Sequence, residues 1–145
     1  MFKHIIVPVD GSSTSGQAIA RAIAMAQAFK SQVTVVCVID AFAFTGVGSD
    51  LAYGQVEYLE AATAEAKLAV SNAKASFAAA GVDATGAVLE GQAVYKSILD
   101  AASASDVDLI VMGSHGRKGL EKLVLGSVAA QVLSHTHLPV MIVRE

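Results

Sequence analysis

The run from Gln32 to Ile39, QVTVVCVI, is almost continuously β-branched and apolar. A strand with one face in water alternates apolar and polar residues, whereas an unbroken run suits a strand covered on both faces. Val107, Leu109, Ile110, Val111 and Met112 make a second such run, ending abruptly at Gly113. Strands of this kind belong to parallel sheets, whose crossover connections lay helices on both faces. The rest of the chain supplies them. His4 to Val9 reads as the first strand. Ser13 to Phe29 reads as a helix, with Ile19, Ile23 and Ala26 at helical spacing and Ser12, Ser13 and Thr14 available as N-caps. Residues 40–54, with Gly46, Gly48 and Gly54, break the pattern and read as a loop. A long helix follows over Val56 to Ala80, carrying Leu59, Ala62, Ala66, Val70, Ala73 and Phe77 on one stripe, and Gly81 stops it. Val82 to Leu89 is a third strand with Gly86 inside it, a residue that weakens a regular strand. Gln92 to Ser103 is a short helix, Val107 to Met112 the fourth strand, Leu120 to Leu133 the last helix, and Val140 to Val143 the last strand after Pro139. The expectation is an α/β fold, a doubly wound and mostly parallel sheet, in a single domain over residues 1–145.

Composition narrows the function. The chain is 54% hydrophobic and 16% charged, which excludes disorder. No run approaches the roughly 20 unbroken apolar residues of a membrane span. The opening MFKHIIVPVDG has too short an apolar stretch for a signal peptide, and a cytoplasmic protein is expected. A formal net charge of −3, no dense basic run and no tryptophan leave nothing to neutralise phosphates or stack bases along a nucleic acid. Cys37 lies mid-strand between Val36 and Val38 and reads as a small buried hydrophobe. His135 and His137 flank Thr136 without a third ligand at a recognisable spacing, so no metal site is expected there.

Chemistry concentrates in Met112 to Val128, MGSHGRKGLEKLVLGSV. Glycines after a strand let the backbone turn with positive φ and bring its N–H groups close to a ligand. Arg117 and the Ser127 hydroxyl are donors suited to phosphate oxygens. The segment therefore reads as a phosphate cradle at the carboxyl end of a buried parallel strand. Glycine inside a helix costs about 1 kcal/mol against alanine, so Gly126 suggests that the last helix begins there, where helix N–H groups hold anions. If the chain winds outward through strands 2 and 3 and returns to set strand 4 beside strand 1, the order is 3-2-1-4-5. Asp10, in Pro8-Val9-Asp10-Gly11-Ser12, then faces the glycine loop across one crevice at the switch point. Simpler readings stand beside these. Asp10 could cap the first helix or close an Asx turn, Arg117 could be a solvated charge, and His115 reads as a residue lining the crevice.

The spacing Gly113-x2-Gly116-x9-Gly126-Ser127 resembles the nucleotide motif of the ATP-binding branch of the universal stress protein family. The likeness extends to the opening IIVPVDGS, the Val-Ile-Asp ending of strand 2, and the closing LPVMIVRE. It implies an ATP-binding sheet of order 3-2-1-4-5 that commonly dimerises. Carried over, Pro8, Val9 and Asp10 lie at the adenosine end, Val38 offers main-chain groups to adenine, and Met112 and Gly113 lie along the ribose. His115 lines the crevice, while Gly116, Arg117, Gly126, Ser127 and Val128 hold the phosphates, with Mg2+ or Mn2+ supplied with ligands by the nucleotide and water.

Other ATP chemistries fit poorly. Gly116 is followed by Arg117-Lys118-Gly119, so a Walker A loop fails. DGSSTSG replaces the glycine-rich loop that ATP pyrophosphatases carry after strand 1, and the dinucleotide GxGxxG is missing. The expected function is a nucleotide-dependent regulatory or sensor protein rather than a committed enzyme. A nucleotide-independent interaction module and a slow ATPase are the alternatives. Val140, Met141, Ile142 and Val143 form an apolar edge strand, expected to pair with a second copy; burial under helices competes with that. An unidentified regulatory protein would be the other partner.

Overall fold

The structure is a computed structural model that describes residues 1–40, 49–116 and 125–144. Its elements run β1 (His4–Pro8), α1 (Ser13–Phe29), β2 (Gln32–Asp40), α2 (Ser49–Ala79), β3 (Ala84–Gly91), α3 (Val94–Ala104), β4 (Leu109–Gly113), α4 (Ser127–His135) and β5 (Val140–Val143). The five strands form one sheet of order β3-β2-β1-β4-β5 with every neighbouring pair parallel.

The strand period of two separates two cores. Ile5, Val7 and Val9, with Val33, Val35, Cys37 and Ile39 and with Leu109 and Val111, face α1 and α2. Ile6, Val36, Ile110 and Met112 face α3 and α4, where Ile98, Ala102, Ala129 and Val132 cover them. Each long apolar run is thus two interleaved half-patterns, one for each layer. The stripe on α2 packs as its spacing predicts: Ala66, Val70, Ala73 and Phe77 are buried, with Leu59 and Ala62 against them.

The face of α1 differs from the expected one. Ala18, Ala22 and Ala26 are its fully covered apolar residues, while Ile19 and Ile23 lie at the margin. Small side chains bring the helix axis close to the sheet, and the isoleucines fill the flanks.

Helix ends follow their local chemistry. Ser12 caps α1, its hydroxyl accepting from the Ser15 N–H at 3.2 Å. Gly81 takes φ +76°, with Val82 N–H donating to the Phe77 carbonyl and Gly81 N–H to that of Ala78, the paired bonds of a Schellman stop. Three boundaries are corrected. The loop expected over 40–54 is helical from Ser49, so Gly54 lies inside α2; residues 41–48 lie outside the described residues. The last helix does not span Leu120 to Leu133, since Leu125 and Gly126 are non-helical and α4 starts at Ser127. The third strand, expected over Val82 to Leu89, runs from Ala84 to Gly91, and its register with β2 is continuous through Gly86. A Cβ on Gly86 would collide with Val70 and stand 2.9 Å from Lys74 Cδ, so this glycine keeps α2 near the sheet.

The β1–β2 ladder runs from His4↔Gln32 to Pro8↔Val36, but the β1–β4 ladder has only Ile5↔Leu109 and Ile6↔Ile110. Direction of the backbone groups explains this. The Gln32 and Val9 amides bond across β1–β2, to Lys3 and Val36 carbonyls respectively, so odd residues of β1 address β2. The His4 carbonyl accepts from Asp108, so even residues address β4. The next even donor toward β4 would be residue 8, a proline without an N–H. The ladder stops there, and the carboxyl ends of β1 and β4 no longer pair with each other.

At the opposite edge Asp108 clamps β1. Its carboxylate accepts from Lys3 N–H (2.8 Å) and His4 N–H (3.0 Å). Burial pushes the Asp108 pKa up, but hydrogen bonds from His4, Lys3 and its own amide, with the N-terminal charge, outweigh it and hold the group below its ordinary value. A carboxyl depressed in the folded state contributes stability above the unfolded pKa of about 3.9 and loses it as pH falls through the folded value. Urea unfolding should therefore show Asp108→Asn less stable than the natural protein at pH 7, the gap closing in strong acid. A gap of equal size at both pH values would mean that the charge contributes nothing.

Candidate functional site

The β1–β4 ladder ends at Ile6↔Ile110, at the carboxyl edge of the sheet where winding reverses, which is where doubly wound sheets hold ligands in a crevice. After Pro8, Val9 sends its side chain into the core and Asp10 turns the chain. Asp10 Oδ1 accepts from the Ser12 N–H at 2.9 Å, an Asx turn completed by Gly11 at φ +82°. The Asp10 N–H donates to Ser15 Oγ at 3.2 Å. The Asp10 carboxylate faces Gly116, where an added Cβ would collide with it. The first loop and the glycine loop thus touch across the crevice, and Asp10 both shapes its own turn and lines the gap.

The far wall is the end of β4 with residues 114–116 and the start of α4. Met112 lies in the α3–α4 core, and its main chain runs in the β4–β5 ladder opposite Ile142. Gly113 and Gly116 do not take positive φ, contrary to the turn role expected after the strand, and Gly126 starts α4 at φ −63°; Gly11 and Gly81 are the described glycines with positive φ. Their requirement is space. A Cβ on Gly113 would stand 2.6 Å from Thr14 Cγ2, and one on Gly126 would stand 2.9 Å from the Ser114 carbonyl and 3.0 Å from His115 Cα. The clash at residue 126 is with the protein's own loop, so a side chain there would displace that loop before it met any phosphate. The Gly126 N–H donates to the Ser114 carbonyl at 2.7 Å and is likewise engaged.

Gly126 is the N-cap of α4 and gives its first turn no side-chain acceptor. The opening amides of a helix lack partners within the helix and carry the positive end of its dipole. Ser127 is exposed at this start, and Val128 is partly buried against the α3–α4 core. Val38 completes the crevice. It lies two residues past Val36, the last residue of β2 to pair with β1, so its N–H and C=O point the same way as those of Val36, beyond the final rung. Arg117 lies outside the described residues.

Three buried hydroxyl residues were not among the expected site residues. Thr14 and Ser114 are each 1% exposed, and Ser15 is 5% exposed. His115 joins two of them, with Nε2 3.3 Å from Thr14 Oγ1 and Nδ1 3.1 Å from Ser114 Oγ. The signal was present, since Ser114 follows directly on an apolar strand, but Thr14 read as one capping candidate among three. Among the described residues no group of three His, Cys, Asp or Glu side chains could hold a metal, and no helix is long and apolar enough to cross a membrane. His135 instead bonds the Gln131 carbonyl through Nδ1 at 2.8 Å and lies against Tyr95.

Comparison with known proteins points one way. The sequence profile of the universal stress protein family matches residues 1–144. A universal stress protein of Methanocaldococcus jannaschii is 33% identical over 145 residues, covering 100% of this chain and 84% of the relative. The solved structure of a second protein from that archaeon, also a universal stress protein, superposes with a TM-score of 0.88 at 28% identity, over 100% of this chain and 97% of its own. Two further universal stress protein structures share the fold: one in complex with cAMP (TM-score 0.70, 23% identity, 99% and 97% coverage) and one from Archaeoglobus fulgidus in complex with dAMP (0.69, 21%, 99% and 98%).

The Gly113–Thr14 contact yields a test by double mutation. Gly113→Ala should destabilise the protein by about 1–3 kcal/mol through overpacking, and adding Thr14→Ser, which removes Cγ2, should return part of that loss. Strictly additive costs in urea unfolding would show that the two positions do not meet.

Proposed function

The chain belongs to the universal stress protein family, and within it we propose an ATP-binding member that acts as a nucleotide-dependent regulatory or sensor protein in stress response, working in the cytoplasm. The observation that carries this reading is the convergence of ligand-seeking main chain on one crevice: the start of α4, capped by a glycine without a side chain, and Val38, one step beyond the last rung of its ladder. A helix start suits phosphate, and strand-edge N–H and C=O groups suit the donor and acceptor edge of adenine. Adenosine would lie between Val38 and Asp10, with ribose along the main chain of Met112 and Gly113. Phosphates would meet the Ser127 hydroxyl and the first amides of α4, including that of Val128. A divalent ion, Mg2+ or Mn2+, would ride on the phosphates. That proteins of this fold hold cAMP and dAMP, both adenine nucleotides, supports an adenosine pocket.

The arrangement suits holding a nucleotide more than turning it over. Efficient hydrolysis needs a group that orients attacking water and others that stabilise developing charge. His115 has both ring nitrogens against protein hydroxyls, and Asp10 accepts from the turn it builds. One observation favours a nucleotide-independent interaction module: the protein's own contacts already account for glycine at 113, 116 and 126. Denaturing freshly purified protein and identifying released nucleotide separates the readings. ATP near one per chain is expected. Release of ADP or AMP would point to a slow ATPase, and an empty protein that also ignores ATP with magnesium in calorimetry would establish the module instead.

The partner reading comes from the sheet edge. Among the described residues β5 pairs with β4 alone, and Val140, Met141 and Ile142 are only half-buried although helices flank both faces. A second copy, pairing along this strand, would cover them, and nucleotide occupancy would be read out by that dimer or by a further regulatory protein. Ile142→Lys should sediment as a monomer while keeping its helical circular dichroism. A folded variant that remains dimeric would move the interface elsewhere.

A further inference from the structure

His115 bridges two parts of the chain that are 101 residues apart. Its Nε2 lies 3.3 Å from Thr14 Oγ1, in the first turn of α1, and its Nδ1 lies 3.1 Å from Ser114 Oγ. Both hydroxyl residues are almost wholly buried. A neutral imidazole donates through one ring nitrogen and accepts at the other, and a hydroxyl can answer either way. Each ring nitrogen therefore has a protein partner whichever tautomer is present.

Ser114 is the hub of this arrangement. Its N–H donates to the Val143 carbonyl at the end of β5 (2.8 Å), its carbonyl accepts from the N-cap Gly126 of α4 (2.7 Å), and its hydroxyl meets His115. The backbone of His115 also abuts Gly126, since a Cβ on that glycine would stand 3.0 Å from His115 Cα and 3.2 Å from its Cβ. The α4 start thus rests on Ser114, which β5 also holds, and on His115, which Thr14 holds.

We infer that Thr14, Ser114 and His115 form a latch that positions the α4 start for nucleotide, and that His115 acts through the two hydroxyls without contacting the ligand. This rests on the ATP-binding reading. Pre-set donors bind better than donors that must be ordered on binding. Losing the latch should thus weaken ATP while leaving the contacts to ATP in place.

Two substitutions at one position separate hydroxyl from packing. Thr14→Val keeps the methyl against Gly113 and removes the hydroxyl, whereas Thr14→Ser keeps the hydroxyl and removes the methyl. By calorimetry, Thr14→Val should weaken ATP about five- to tenfold, the size of one lost hydrogen bond. Thr14→Ser should bind nearly as the natural protein does. His115→Phe should weaken ATP similarly, and combining it with Thr14→Val should cost little more, since both remove the same link. Rescue by Thr14→Ser is the readout that a packing role alone would not give, and the 15N resonances of the His115 ring separate the latch from direct contact with ATP. These should report one fixed hydrogen-bonded state that ATP leaves unchanged.

Natural affinity in Thr14→Val, or equal weakening by Thr14→Ser, would overturn the latch while leaving ATP binding intact. A large ATP-induced shift at His115 Nε2 or Nδ1 would overturn it in favour of direct contact. If the natural protein itself binds no ATP, the nucleotide reading fails, and this inference fails with it.

Discussion

The missing N–H of Pro8 is the constraint on which the crevice depends. Even-numbered residues of β1 address β4, and at residue 8 the donor that would continue their ladder does not exist. β2 is unaffected, because its bonds come from odd residues, and it stays paired with β1 through Val36. One edge of β1 thus stops early while the other runs on. This happens at the one place in a doubly wound sheet where successive connections leave in opposite directions, so no crossover helix fills the gap.

The groups lining that gap are largely occupied with holding the loops together. The Asp10 carboxylate closes a turn and packs on Gly116, and the Gly126 amide is bonded to Ser114. Buried Thr14 and Ser114 bond to the partly buried His115. Unpartnered polar groups there would each cost about 1–3 kcal/mol, and their pairing makes the loops rigid. Among the described residues, ligand-facing capacity is left to main chain beyond the last β1–β2 rung at Val38 and to the start of α4. A site of this kind recognises shape and backbone-compatible edges, as adenine and phosphate offer, and commits few side chains to chemistry.

Much of the fold was legible because its signals are local. Strand runs apolar at both alternations demanded helices on both faces, and Gly81 and Ser12 announced helix ends that their φ values and hydrogen bonds realise. Reading failed where a neighbour decided. Of the expected α1 face, Ile19, Ile23 and Ala26, only Ala26 is buried, and Ala18 and Ala22 take the places beside it. Residues 49–54 looked like loop because Gly54 punctuates them, but a long helix tolerates one glycine at about 1 kcal/mol.

The glycine motif shows the division most clearly. Sequence alone determined the order of elements, the class of sheet and the two loops that would meet, because periodicity and turn chemistry act within a few residues. It also marked Gly113, Gly116 and Gly126 as special. Only the tertiary structure decided why they are special. The atoms that exclude a Cβ at 113 and 116 belong to Thr14 and Asp10, about a hundred residues away along the chain, and those at 126 belong to Ser114 and His115 on a separate loop. The same holds for Pro8, whose effect depends on which of its two neighbours its missing donor would have faced. Such contacts arise from the parallel pairing of β1 with β4, and no pattern confined to either segment contains them.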